Sequence, residues 1–358
     1  SIICSAVASM VSHFGTLSPY LRVRQAIGAL PCGPTWQWHG WAQERRRLRV
    51  MNDFDLTVYD YRAEKAKKNA EFILAERLKG HFEKIVVRTK TAGYVECSIY
   101  RPGKVRTAGP GQAALPIVFN FHGGGMVLAF YEQDGKYCQR LADNTGCAVV
   151  NVDYPVAPEF KYPKPVLASY ETVLGVCERA GELGLDKSRI FACGHSAGGN
   201  IAVDLCLIDR DREAVGFLGA IVDYAPLRQT LSQKVRQAID VPGAINTNRM
   251  AQYTKWYFDD LNRMGEPLAS PVDADLHNLP AMLIISAEYD PLSQEEREFA
   301  KRAKTAGVLV RYKLYRDCQH GFTHEELAEY SPNQAKDAWQ MMACFIKDLL
   351  RSSPATRS

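Results

Sequence analysis

No Cys-x-x-Cys pair occurs among the ten cysteines, which stand at positions 4, 32, 97, 138, 147, 177, 193, 206, 318 and 344. Zinc ribbons and dithiol redox sites need that close spacing, so neither is indicated. Cys97, Cys193 and Cys344 sit inside apolar runs as small hydrophobes would. That distribution favours a reducing, cytoplasmic setting, and the absence of any N-x-S/T sequon agrees with it. No apolar run reaches the roughly 20 residues that span a bilayer, so stable membrane insertion is not expected. The start, Ile2 to Val11, is mildly apolar, lacks a basic flank and begins at Ser rather than Met. It reads as an amphipathic lid segment, with a trimmed remnant as the alternative. Also missing is any basic tract interleaved with aromatics: the net charge is +4, and the densest run, Arg45-Arg46-Arg47, reads as a helix face. Nucleic acid is therefore not an expected partner. What remains, 358 residues at 46% hydrophobic and 23% charged, is an ordinary globular composition. It can bury a large core and allows one large domain plus an addition.

Gly194-His195-Ser196-Ala197-Gly198 spells G-x-S-x-G directly after the apolar run Ile190-Phe191-Ala192-Cys193, and a small-residue helical stretch follows. A strand, a forced turn and a helix lift a serine Oγ clear of a sheet. The flanking glycines suit a strained backbone with closely packed neighbours. By itself the pentapeptide is equally readable as a plain glycine-rich turn. A second cluster, His122-Gly123-Gly124-Gly125, follows another apolar strand pattern, Pro116 to Phe121. A glycine loop there can bring backbone N–H groups to a developing oxyanion, as can the residue after the nucleophile, here Ala197.

An acid and then a histidine should follow the serine, each just past a late strand. The apolar run Ala281 to Ser286 leads into Asp290-Pro291-Leu292, and the run Val308 to Tyr315 leads to His320-Gly321-Phe322. Asp290 is the expected acid, although an Asp before Pro could simply cap the helix that begins near Ser293. His320 is the expected base. His195 lies beside the serine and His324 sits on what reads as a helix start, and neither follows a strand with a glycine behind it.

These residues resemble the hormone-sensitive-lipase-like esterases, a branch of the α/β-hydrolases. The resemblance runs over residues 84 to 348 and rests on four elements in the family's order: the His122 to Gly125 loop, the stretch Asp153-Tyr154-Pro155-Val156-Ala157-Pro158-Glu159, the elbow at Ser196, and Asp290 with His320. It implies Ser196, Asp290 and His320 as a catalytic triad, and Gly123, Gly124 or Gly125 with Ala197 as oxyanion donors. The family commonly carries Asp before the serine, whereas His195 stands here, as it does in kynurenine formamidase-like enzymes.

Strand and helix patterns alternate from about residue 84 onward, which points to a mostly parallel eight-stranded sheet with helices on both faces. Residues 83–89 and 94–100 read as an opening antiparallel hairpin. Further strands are expected near 116–121, 147–152, 189–193, 217–223, 281–286 and 308–315, and helices near 133–144, 166–180, 197–208, 293–306 and 335–350. The nucleophile then follows the fifth strand. Two regions stand outside the alternation: residues 1–82, with the cluster Trp36 to Trp41 and a helical stretch from Ala63 to Lys79, and residues 227–270, with Tyr253, Trp256, Tyr257 and Phe258 on a helical pattern. In the resembling family such pieces form a helical cap; for any single aromatic, ordinary packing within a helical subdomain is the simpler reading. The division is thus 1–82 and 227–270 for the cap, and 83–226 and 271–350 for the core. Pro155, Pro158, Pro163 and Pro165 stiffen the loop after the fourth strand, where Glu159 is expected to hold backbone amides rather than to take part in chemistry.

The expected chemistry is hydrolysis of carboxylic esters of small to medium acyl chains through an acyl-enzyme, a substrate class that comes from the resemblance. The same acyl-enzyme could serve an amide, a thioester or a polyketide-like acyl chain, and a non-catalytic receptor on the scaffold, as the gibberellin receptors are, is a weaker reading. No cofactor or metal is expected. His122, His195 and His320 could meet in space, but His122 opens the glycine loop and His195 lies inside the elbow. The expected partner is a small ester or acyl substrate. In the resembling family, homodimers form through the last strand and helix, here 308–315 and 335–350.

Overall fold

Residues 56–79, 82–103, 113–129, 131–230 and 245–352 are described by the structure, a computed structural model. The segments expected at Ile2 to Val11, Trp36 to Trp41 and Arg45 to Arg47, and part of the 227–270 insertion, lie outside these residues.

The described residues open with a helix, Val58–Lys79 (α1), followed by the hairpin Phe82–Thr89 (β1) and Gly93–Tyr100 (β2). From there strands and helices alternate: Leu115–Phe121 (β3), Gly135–Thr145 (α2), Ala148–Val152 (β4), Lys164–Glu178 (α3), Leu185–His195 (β5), Ala197–Arg212 (α4) and Phe217–Asp223 (β6). After β6 come Thr247–Tyr257 (α5), Ala281–Ala287 (β7), Ser293–Thr305 (α6), Val310–Tyr315 (β8) and Pro332–Ser352 (α7). All eight strands join one sheet in the order β1-β2-β4-β3-β5-β6-β7-β8. β2 is antiparallel to both its neighbours, and every pairing from β4 to β8 is parallel. Parallel neighbours require crossover connections, and the helices supply them.

Because both faces are covered, the central strands are largely apolar instead of alternating, with Asn120 of β3 and Asn151 of β4 hydrogen-bonded to each other. All five residues of β4 are buried. One face packs against α2 and α7, with Tyr137, Leu141, Trp339, Met342 and Phe345 meeting Val118, Val149, Phe191 and Ile221. α3, α4 and α6 cover the other face. A dimer through 308–315 and 335–350 would use β8, an edge of this sheet, together with α7.

Strand β5 is longer than its apolar run. Leu185 and Asp186 pair with Leu115 and Pro116, and a register shift then brings Ile190 opposite Ile117. The irregularity admits the polar stretch Asp186-Lys187-Ser188, which no periodicity marks as a strand. Glu159 also differs from expectation: its Oε1 accepts from Arg62 Nη1 of α1 at 2.8 Å. The same guanidinium donates to the carbonyls of Val127, at 2.7 Å, and Ala157. The proline loop, whose Ala157–Pro158 and Tyr162–Pro163 bonds are cis, is thereby fastened to α1.

Candidate active site

Parallel strands deliver their C-terminal ends to one edge of the sheet, where ligands bind in open α/β folds. The candidate residues all arrive there. Ser196 joins β5 to α4 with φ 53° and ψ −121°, a conformation that non-glycine residues rarely adopt. Its N–H donates to the Asp223 carbonyl at 2.8 Å, tying the turn to the end of β6. The turn also needs its glycines: a Cβ on Gly198 would overlap the carbonyl of Phe121, and one on Gly194 the carbonyl of Gly198.

His320 Nε2 lies 2.9 Å from Ser196 Oγ, and His320 Nδ1 lies 2.7 Å from Asp290 Oδ2. Asp290 is fully buried, and its Oδ1 accepts from the N–H of Leu292 at 2.9 Å. Asp290 does not cap α6, whose N-cap is Leu292. Burial disfavours the imidazolium form of His320, but the charge and hydrogen bond of Asp290 outweigh it and hold the ring above its ordinary pKa. The three residues thus form a series of hydrogen bonds running from a hydroxyl to a buried carboxylate.

Across the cleft, the glycine loop after β3 passes next to the elbow. A Cβ on Gly123 would stand 3.3 Å from the His195 carbonyl and 3.5 Å from Ser196 Cβ. Gly124 and Gly125 have φ of +128° and +62°, and the Gly124 carbonyl accepts from the N–H groups of Val127 and Leu128, both at 3.0 Å. Ala197 opens α4, so its N–H is one of those a helix leaves without an intrahelical acceptor. His122 turns away from the cleft. Its Nδ1 pairs with the Gly123 carbonyl at 2.7 Å, its ring stacks on Tyr154 at 4.3 Å, and burial lowers its pKa to about 4.

A cleft of about 440 Å³, including its open mouth, leads to Ser196 and is lined by Gly125, Met250, Tyr253, Tyr257 and Leu292. Tyr253 of α5 sits directly over Gly125, where a Cβ would come within 2.6 Å of its ring. Tyr253 also pairs with Tyr61 of α1, hydroxyl to hydroxyl and ring to ring at 5.9 Å. No helix among the described residues is long and apolar enough to cross a membrane.

Beneath the elbow lies a polar cluster that sequence reasoning missed. His195 Nδ1 lies 2.9 Å from Asp223 Oδ2. His324 is in a turn, not on a helix, and is buried against Tyr224, Thr323 and Trp339. The helical reading failed because the helix begins only at Pro332. His122, His195 and His320 do not assemble as ligands; among the described residues it is Asp134, His195 and His324 that come together. The one sequence signal was His195 standing where the resembling family carries a carboxylate.

A family model described as the alpha/beta hydrolase fold matches residues 118–324. An arylesterase of Saccharolobus solfataricus is 30% identical over 305 residues, covering 84% of this chain and 94% of the relative. The carboxylesterase NlhH of Mycobacterium tuberculosis is 30% identical over 248 residues, 66% of this chain and 76% of its own length. Among solved structures, an esterase of Pyrobaculum calidifontis superposes with a TM-score of 0.73 at 29% identity, covering 86% of this chain and 98% of that one. The match runs from within β3 through β8 and takes in the elbow and the loop carrying His320, and the arylesterase, the carboxylesterase and the solved esterase are among its relatives; the chain belongs to the alpha/beta hydrolase fold family, in its hormone-sensitive-lipase-like esterase branch.

Proposed function

We propose that this carboxylesterase-type hydrolase cleaves carboxylic esters of small to medium acyl chains, with Ser196 as nucleophile, His320 as general base and acid, and Asp290 as the carboxylate that orients the imidazole. One observation carries the reading: Ser196 Oγ, His320 and Asp290 are hydrogen-bonded in series at the floor of a cleft. Asp290 accepts at Nδ1, which leaves the Nε2 lone pair toward Oγ. As Oγ attacks the ester carbonyl, its proton passes to Nε2, and the imidazolium is steadied by the buried carboxylate. The negative charge on the carbonyl oxygen falls between the glycine loop and the start of α4, where N–H groups of Gly123, Gly124 or Gly125 and of Ala197 receive it. Nε2 then protonates the leaving alcohol. Water, activated by the same imidazole, attacks the acyl-enzyme and releases the acid.

The cleft is lined largely by aromatic and aliphatic side chains, Met250, Tyr253, Tyr257 and Leu292 among them, which supports an apolar acyl group. α1 and α5, joined through Tyr61 and Tyr253, serve in this reading as the described part of a cap that limits acyl length. A fluorophosphonate probe should label Ser196, and a panel of p-nitrophenyl esters, an aryl formamide and an acyl thioester should show esters turned over fastest. No label on folded protein would favour a receptor, and faster turnover of the formamide or thioester would replace the ester assignment.

A further inference from the structure

The cluster beneath the elbow contains acceptors without donors. Thr323 Oγ1 lies 2.9 Å from Asp223 Oδ2 and spends its single proton on that carboxylate. Toward His324 Nδ1, also 2.9 Å away, Thr323 can then only accept; with the Tyr224 hydroxyl donating to Thr323 Oγ1, 3.0 Å away, the ring hydrogen of His324 sits on Nδ1 and Nε2 keeps a lone pair. The Tyr224 hydroxyl, 2.6 Å from the same Nδ1, holds the ring from a second side. In the same way Asp223 Oδ2 fixes the hydrogen of His195 on Nδ1, at 2.9 Å. Asn120 Nδ2 donates to Asp134 Oδ2 at 3.0 Å and leaves Oδ1 facing the two rings. His195 is 2% exposed, Asp134 1% and His324 4%. His195 Nε2 and Asp134 Oδ1 have no hydrogen-bond partner among the described residues.

Two imidazoles and a carboxylate therefore bring one ligand atom each to a common point, all within 4.8 Å of one another. The separation of His324 Nε2 from Asp134 Oδ1 is 3.8 Å, too long for a shared proton. Around a tetrahedral ion with bonds of roughly 2.0–2.1 Å, ligand atoms stand about 3.3 Å apart, so a small inward movement closes the set. Each ligand is held from behind by an outer hydrogen bond, the arrangement that orients ligands in protein metal sites. A divalent ion would also balance the two buried carboxylates, Asp134 and Asp223.

From this geometry we propose that Asp134, His195 and His324 bind a borderline divalent cation of the zinc class as a structural ion. Two nitrogens and one carboxylate oxygen suit zinc. The ion joins three segments: the end of β5 one residue before Ser196, the N-cap of α2, and the turn four residues after His320. It lies behind the reaction cleft and takes no part in bond making. Because the ligands are buried, loading accompanies folding. The assignment does not depend on the ester-hydrolase reading, since its readout is metal content and thermal stability.

The tag-free full chain, unfolded in guanidinium and refolded with zinc sulfate or with EDTA, should after desalting retain about one zinc per chain in the first case and below about 0.1 in the second. The zinc form should melt about 5 °C higher than the EDTA form. Refolding with Co(II) should give visible absorption of a low-symmetry site, and Asp134→Asn and His324→Gln should lose both the bound metal and the stabilisation. Wild-type protein that retains below about 0.1 zinc, or whose melting is the same in zinc and EDTA, would overturn the proposal, leaving a buried water or proton in the cluster. Metal retained undiminished by the variants would overturn it equally, by placing the ion elsewhere. If the variants do not fold, the wild-type cobalt spectrum and the zinc-dependent melting decide the matter alone.

Discussion

Replacing Asp290 by Asn tests the proposed chemistry at its least replaceable point. The two carboxylate oxygens have different partners: Oδ1 accepts from the Leu292 N–H at 2.9 Å, and Oδ2 faces His320 Nδ1 at 2.7 Å. A carboxamide must put its oxygen toward Leu292, because an NH2 there would oppose a backbone donor in a fully buried place. Its NH2 then faces His320 Nδ1 and donates to it, which moves the ring hydrogen to Nε2. Nε2 points at Ser196 Oγ and, so protonated, cannot take the serine proton. The expected loss is the wrong-tautomer effect, about 10⁴ in kcat, or roughly 5.4 kcal/mol. Glu288, close by in sequence, is engaged by Arg316 and by the Asp317 N–H. The assay is kcat/KM for a short-chain p-nitrophenyl ester across pH, with circular dichroism to establish the fold. Since the neutral ring is the base and Asp290 raises its pKa above 6.5, wild-type activity should fall as pH drops through a midpoint above that value. In the variant the charge is gone while burial remains, so any residual activity should have its midpoint at lower pH. Activity within tenfold of wild type, or an unmoved midpoint, would refute the assignment of Asp290.

Ser196→Ala should abolish fluorophosphonate labelling and lower ester turnover by about 10⁶, measured on protein whose melting is unchanged. Gly125→Ala should reduce kcat/KM by about 10², because φ +62° and the overlying Tyr253 ring force the loop and its N–H groups out of position; the readout is steady-state kinetics on the same esters. Gly198→Ala should cost more than about 4 kcal/mol, seen as loss of soluble protein, since the new methyl would overlap the Phe121 carbonyl. Arg62→Ala should destabilise by about 2 to 4 kcal/mol in urea unfolding, because the buried carbonyls of Val127 and Ala157 both lose their donor.

What was legible in the sequence is what a single strand and its following turn encode. An apolar run ending in glycines or in Asp-Pro marks β3, β5 and β7 and the residues that leave their C-terminal ends, because a parallel sheet buried on both faces requires continuous apolar strands, whereas β8, an edge strand with Arg311 and Lys313 exposed, is marked by the His-Gly that follows it. Where pairing runs past the apolar run, as at Leu185 to Ser188, only the neighbouring strand reveals it. Side-chain partnerships across the fold were illegible for a related reason. Asp223, Thr323 and His324 carry no local pattern, yet Thr323 reaches Asp223 over 100 residues of chain. Glu159 looked local and was not, since its partner Arg62 lies 97 residues earlier. The end of β6 shows why such partnerships matter. The Asp223 carbonyl fixes the Ser196 N–H while its carboxylate fixes His195, so one residue holds both the strained turn and the imidazole beneath it. A substitution confined to the Asp223 side chain leaves the first bond in place and removes the second. It should therefore loosen the buried cluster before it moves the nucleophile, which separates a support of the elbow from the chemistry the elbow presents.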